Sequence, residues 1–195
     1  MIKGFSIYRR DNRTNKRFRE WLLVANHSIM TAALDIKSFT RPRYVAHKRT
    51  PDNLYHITLG QLIELSQAKT GEDAFYFPCR VVLGLTQQQT DKALAVDVVR
   101  FAGWCCGQLD KIDKLFGQLK PTRTAEEQQA NPPSFGIFGL VDWYARRMGI
   151  SHEAVEHVAW SVVYECMKMD IESDNYQRRL QRIMAQKQKN MARRR

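Results

Sequence analysis

Six cations, Arg9, Arg10, Arg13, Lys16, Arg17 and Arg19, fall within eleven residues, with only Asp11 and Glu20 close by. The pattern suits docking of a phosphate or an acidic protein surface, with Tyr8 or Phe18 in place to stack. Three of these cations fall in the first turns of an expected helix, where the macrodipole is positive and a cation costs about 0.3 to 1 kcal/mol. An external anion is therefore expected to offset them. A solvated basic face without a specific partner is the equally open reading.

Metal chemistry is suggested by His152-Glu-Ala-Val-Glu-His157, but zinc-protease helices need two histidines four apart and these are five apart. On a regular helix the two rings point about 140° away from each other and cannot share an ion. His27, His47 and His56 have no Cys or carboxylate at ligand spacing. Phosphate-cradling glycine loops and the G-x-S-x-G elbow are missing from the sequence. No metal, no cofactor and no catalytic residue is expected, and the chain reads as a non-enzyme. Cys79, Cys105, Cys106 and Cys166 each lie in an apolar stretch with no C-x-x-C pair. They read as small core residues of a protein from a reducing compartment. Trp143, Tyr144, Met148, Trp160 and Met167 concentrate soft apolar groups in the last third. Core is their ordinary place, and any left exposed would offer an adaptable surface to an apolar client segment.

The elements that must position these groups are helical. Phe18, Trp21, Ala25, Ile29, Ala32 and Ile36 recur at three- and four-residue spacing, which predicts one helix over about 15–37 with Thr14 as N-cap. Residues 39–56, with Pro42, Pro51 and four cations, read as an exposed basic loop. Thr58 with Gln61 forms a capping box, and Ile57 with Leu62 a hydrophobic staple, opening a helix that ends near Lys69. Residues 72–84 lean helical despite Pro78. A second capping box, Thr86 with Gln89, opens a predicted helix of about seven turns through Leu94, Val98, Phe101, Cys105, Leu109, Ile112 and Phe116. Gly103 and Gly107 beside Trp104 suggest a close approach of another helix. Residues 120–134 hold three prolines and read as a hinge. Beyond it, Ser134 caps a helix to Met148, Gly149 supplies a left-handed C-cap, and two further helices cover about 152–169 and 174–188. The expected fold is all-α, a single domain of six to seven helices, with a minor strand at about Phe5 to Tyr8. Its parts would be 1–50 (basic arm and first helix), 51–119 (central core), 120–134 (hinge), 135–188 (C-terminal helices) and 189–195 (disordered basic tail).

Composition narrows the class further. In 195 residues, 44% are apolar and 26% charged, which excludes wholesale disorder and a disulfide-dominated miniprotein. The formal net charge of +11 is uneven: +9 over residues 1–50, −4 over 51–170 and +6 over 171–195. A mildly acidic body between two basic ends is the pattern of a globular protein with arms. Cations in the last segment lie toward a helix C-terminus, where positive charge is favoured without any partner. The apolar stretch Trp21–Leu34 is too short for a membrane span and lacks a cleavage site, so no membrane insertion or secretion is expected and the protein reads as cytoplasmic.

Two stretches, Ile57–Gln67 (ITLGQLIELSQ) and Phe135–Asp170 (FGIFGLVDWYARRMGISHEAVEHVAWSVVYECMKMD) with the following YQRRLQRI, resemble tail assembly chaperones encoded beside the tail genes of tailed bacteriophages and prophages. The resemblance covers about residues 57–184 and leaves the basic ends aside. It implies a non-enzymatic helper in the bacterial cytoplasm that binds a long helical tape-measure protein, or tail-tube subunits, during tail morphogenesis. The residues alone also admit a helical nucleic-acid-binding protein that uses the Arg-rich arms.

Overall fold

The computed structural model describes residues 16–25, 27–34, 40–67, 71–119, 121, 129 and 135–193. Thr14, Ser134, the strand expected at Phe5 to Tyr8 and most of the 120–134 hinge lie outside them. The described residues form an all-α fold with one two-stranded hairpin. The chain divides into two compact units, residues 1–112 and 113–195.

In the first unit the expected 15–37 helix is two pieces, α1 (Phe18–Leu22) and α2 (His27–Leu34), separated by turn residues at Leu23 and Val24. Both of those side chains are exposed. Phe18 and Trp21 keep the inward face the periodicity assigns them. Their rings stack at 5.7 Å and meet Phe75 at 5.7 and 5.4 Å.

Residues 39–56 correct the reading of an exposed loop. Tyr44–Val45 (β1) pairs antiparallel with Lys48–Arg49 (β2). The connecting residues, Ala46 and His47, have φ of 43° and 73°. Two successive left-handed residues match the twist of a tight hairpin, although neither is the usual Gly or Asn. Burial around it explains why the turn holds: Val45, Leu54 and Thr50 are buried. The Thr50 hydroxyl donates to the Pro42 carbonyl, and Arg41 donates at 2.8 Å to the carbonyl of Thr50.

Helix α3 (Leu59–Gln67) starts as its capping box requires. The Thr58 N–H donates to Gln61 Oε1 at 2.9 Å, and the Gln61 N–H to Thr58 Oγ1 at 3.1 Å. Helix α4 (Asp73–Leu83) carries the buried Pro78 within it and ends at Gly84, whose φ of 63° is the left-handed C-cap. The Gly84 N–H reaches the Arg80 carbonyl at 3.0 Å and the Leu85 N–H the Cys79 carbonyl at 3.1 Å, and the Leu85 side chain is buried.

The capping box at Thr86 and Gln89 is also present, but the helix it opens, α5 (Gln87–Lys92), stops at an extended Ala93. The expected seven-turn helix is thus interrupted, and α6 (Ala95–Gln118) begins after the break. Segment 16–18 causes the interruption by taking the free backbone groups. The Phe18 N–H donates to the Ala93 carbonyl and the Ala95 N–H to the Lys16 carbonyl, both at 3.0 Å, around an Arg17–Leu94 bridge. Val98, Phe101, Ala102 and Cys105 of α6 are buried in the core that holds Phe18, Trp21, Phe75 and Cys79. At Gly107 a Cβ would meet nothing within 4 Å, so no close approach explains that glycine.

The second unit holds α7 (Gly136–Met148), α8 (His152–Glu156) and α9 (Trp160–Ala192). Gly149, with φ of 64°, caps α7 as expected, and the Ile150 N–H bonds the Ala145 carbonyl at 3.1 Å. Ser151 Oγ accepts the Ala154 N–H at 3.2 Å and starts α8. The two helices expected over 152–169 and 174–188 are instead the five residues of α8 and the single 33-residue α9. That helix runs through Ser173, Asp174 and Asn175 and on to Ala192, four residues into the segment expected to be a disordered tail. Only its beginning is deeply packed: Trp160 and Val163 are buried, and the Trp160 and Tyr164 rings lie 6.1 and 5.4 Å from Phe116.

Candidate functional site

Of the six N-terminal cations, Arg9, Arg10 and Arg13 lie outside the described residues. Arg17 is used internally. Its Nη1 donates at 2.6 Å to the carbonyl of Lys92, the last residue of α5, where a cation meets the negative end of a helix. The positive start of α1 is met by Glu20, whose Oε2 accepts the Arg17 N–H at 3.3 Å. The chain thus provides one carboxylate of its own at this helix start. Arg19 is largely exposed, 3.9 Å from Asp91, and Lys16 is exposed.

Beside Arg17 lies an open cleft of about 410 Å³ lined by Tyr44, His47, Lys92, Leu94 and Asp97 among others. Half-burial pushes the Asp97 carboxyl above its usual range, with Arg100 opposing the shift. The cleft thus mixes cations with a carboxylate, a lining that fits no single anion class. In α4, burial and the hydrogen bond to Asp91 push the Tyr76 hydroxyl up to about 12. Burial likewise pushes the Cys79 thiol up to about 12, and raises those of Cys105 and Cys106. Thiols held protonated in this way are poor nucleophiles and poor ligands, in keeping with their reading as core residues.

The histidine pair is dispersed. His152 opens α8, with Nε2 3.3 Å from Asp142 Oδ1 and its ring edge-on to Phe138 at 5.4 Å. His157 follows the end of that helix and is exposed. Among the described residues no group of three or more His, Cys, Asp or Glu could hold a metal ion, and no helix is long and apolar enough to cross a membrane.

The apolar set in the second unit is split by the fold. Tyr144 is 3% exposed and Trp160 1%, so both are core and neither offers a client surface. Trp143 is half-buried with the Arg147 guanidinium 5.9 Å above its ring, and Met167 is half-buried. Of the five, Met148 is the one fully on the surface. Other large apolar residues of this unit are exposed. Phe135 (70%) and Phe138 (62%) flank the exposed Ile137 at the start of α7. The Phe135 side chain folds back over Gly139, with Phe135 Cβ 3.0 Å from where a Cβ would stand on that glycine. Along α9, Val162, Met169, Tyr176, Leu180 and Ile183 are exposed as well. Val162, Met169, Tyr176 and Ile183 recur every seven residues, a spacing present in the sequence.

Compared with protein-family models, with curated proteins and with solved structures, the chain matches none.

Proposed function

We propose that this chain is a non-enzymatic assembly factor of the tail assembly chaperone kind, which holds an amphipathic helical client while that client is built into a larger structure. One observation carries the proposal: Phe135, Ile137 and Phe138 stand exposed together at the start of α7. Three large apolar side chains within four residues form a knob of the kind that marks protein–protein contact sites on soluble proteins. Amphipathic helices dock on such surfaces through their apolar face, and a long helical tape-measure protein offers many such faces. The resemblance of Phe135–Asp170 to tail assembly chaperones supports the same assignment.

The test is co-expression with a long helical tape-measure protein, followed by co-purification of wild type and of a Phe135→Ser/Phe138→Ser variant. Wild type is expected to keep the client soluble and to co-purify with it. The variant, which loses only exposed side chains, is expected to remain folded and lose the client. Equal retention by both, or a gene neighbourhood without tail genes, would remove the proposal's support.

A polyanion-binding reading is favoured by a separate observation. From Tyr176 to Arg193 the sequence holds six cations and no carboxylate. Retention on heparin that falls about tenfold or more for a fewfold rise in salt would establish it.

A further inference from the structure

The exposed seam of α9 lies opposite the side by which that helix packs. At about 100° per residue, Trp160 and Val163 lie roughly 100° to 160° around the helix from Val162. Met169, Tyr176, Leu180 and Ile183 stay within about 60° of Val162, on the far side. A seven-residue recurrence slips by about 20° per repeat on a straight helix, and the slip is removed when two helices supercoil around one another.

The charges say what the other helix is. From Trp160 to Asn175, α9 carries Glu165, Asp170, Glu172 and Asp174 against Lys168 alone. From Tyr176 to Arg193 it carries only cations. The helix macrodipole favours such a gradient only in the first and last turns. It does not account for Arg179 and Arg182, which are more than two turns from the end. Two copies laid side by side in parallel would set cations against cations along the distal half. Laid antiparallel about a two-fold axis near Tyr176, they set Glu172 of one copy, about 80° around the helix from Val162, against Arg179 of the other, about 100° around on the same flank, and Met169 near Ile183. A two-fold axis makes the match reciprocal, so one surface serves both partners.

We propose that α9 is a self-association surface: two copies of this chain pair antiparallel along Val162, Met169, Tyr176, Leu180 and Ile183. This goes beyond client binding and uses a different surface from the α7 knob.

Sedimentation equilibrium of the full chain, across concentrations up to about 100 μM, tests it. Wild type is expected to be dimeric at the upper end. Tyr176→Glu/Ile183→Glu is expected to raise the dissociation constant at least about tenfold while leaving the circular dichroism spectrum unchanged. Glu172→Arg is expected to weaken the dimer, and adding Arg179→Glu to restore it. In a parallel pair like charges face like in every one of these variants, so no rescue would follow. A monomeric wild type, a dimer indifferent to Tyr176→Glu/Ile183→Glu, or failure of the charge rescue each overturns the proposal. Client co-purification with the Tyr176→Glu/Ile183→Glu variant keeps the two readings apart. Retention of the client with loss of the dimer leaves the client proposal intact, and the Phe135→Ser/Phe138→Ser variant is expected to remain dimeric.

Discussion

The two units use their apolar residues in opposite ways. In the first, Phe18, Trp21, Phe75, Val98, Phe101 and Cys105 are all buried in a core drawn from α1, α4 and α6. In the second, burial is confined to a small set around Val141, Tyr144, Val155, Trp160 and Val163. Among the described residues, twelve exposed large apolar side chains lie in 135–193 and four in 16–112. Apolar composition is thus no guide to which unit is more stable on its own. The first unit resembles a finished domain, and the second leaves apolar surface exposed among its described residues.

The comparison can be broken most directly by truncation. Phe101→Ala is expected to cost about 3 to 5 kcal/mol in denaturant titration. Ile183→Ala, measured at a concentration where the chain is monomeric, is expected to stay within about 0.5 kcal/mol. Equal losses would mean that the α9 seam is internal after all. A smaller effect is expected at Thr50→Val, which removes the hydroxyl that holds the Pro42 carbonyl inside the first unit. The loss should be about 1 to 3 kcal/mol, and a neutral result would show that the hairpin is held by Val45 and Leu54 alone.

Gly149→Ala is expected to cost about 1 kcal/mol, because φ of 64° suits glycine. Hydrogen exchange should quicken at the end of α7 and not in α4, which has its own cap at Gly84.

Alkaline pH sharpens the contrast further. Cys79 has an ordinary thiol value of 9.0 and is pushed up to about 12 by burial, while Tyr76 rises from 10.0 to about 12. Because the folded values lie above the unfolded ones, the stability these groups contribute is complete below pH 9 and is lost as the pH climbs toward 12. Replacing Cys79 by Ala removes one of these titrations. The stability gap between wild type and Cys79→Ala should therefore narrow between pH 7 and pH 10 by on the order of 1 kcal/mol. A gap independent of pH would show that the thiol is not held protonated.

Local hydrogen-bond chemistry was legible in the sequence. The capping boxes at Thr58 and Thr86 and the Gly149 cap all stand where residue types placed them, because each is settled within about four residues. What escaped depends on distant partners. The break at Ala93 comes from segment 16–18 bonding across it, and no residue near Ala93 announces that. Ala46 and His47 turn a hairpin without the usual turn residues because buried Val45, Leu54 and Thr50 hold its flanks. The break expected between the 152–169 and 174–188 helices is missing, and α9 continues through Ser173 and Asp174 with exposed side chains, where weak propensity costs little per residue. Of the five apolar residues grouped together by the sequence, Met148 is the exposed one. Tyr144 lies four residues from it on the same face of α7 and Trp160 opens α9, yet both are core, and only packing tells an inner position from an outer one.

The Arg17–Leu94 bridge also sets the order in which the protein can form during synthesis. Phe18 has no place to go until Phe75, and then Val98 and Phe101, have been added to the chain. At about 5 to 20 residues per second, that leaves the Phe18–Trp21 pair without its core for roughly 4 to 16 seconds on the ribosome. Helix α9 needs no such wait, since its bonds are all local, and a helix relaxes in about a microsecond. The slow step in making this molecule is therefore the closing of its first unit, and the exposure of Phe18 and Trp21 during that interval is when a nascent chain is most open to holding by others.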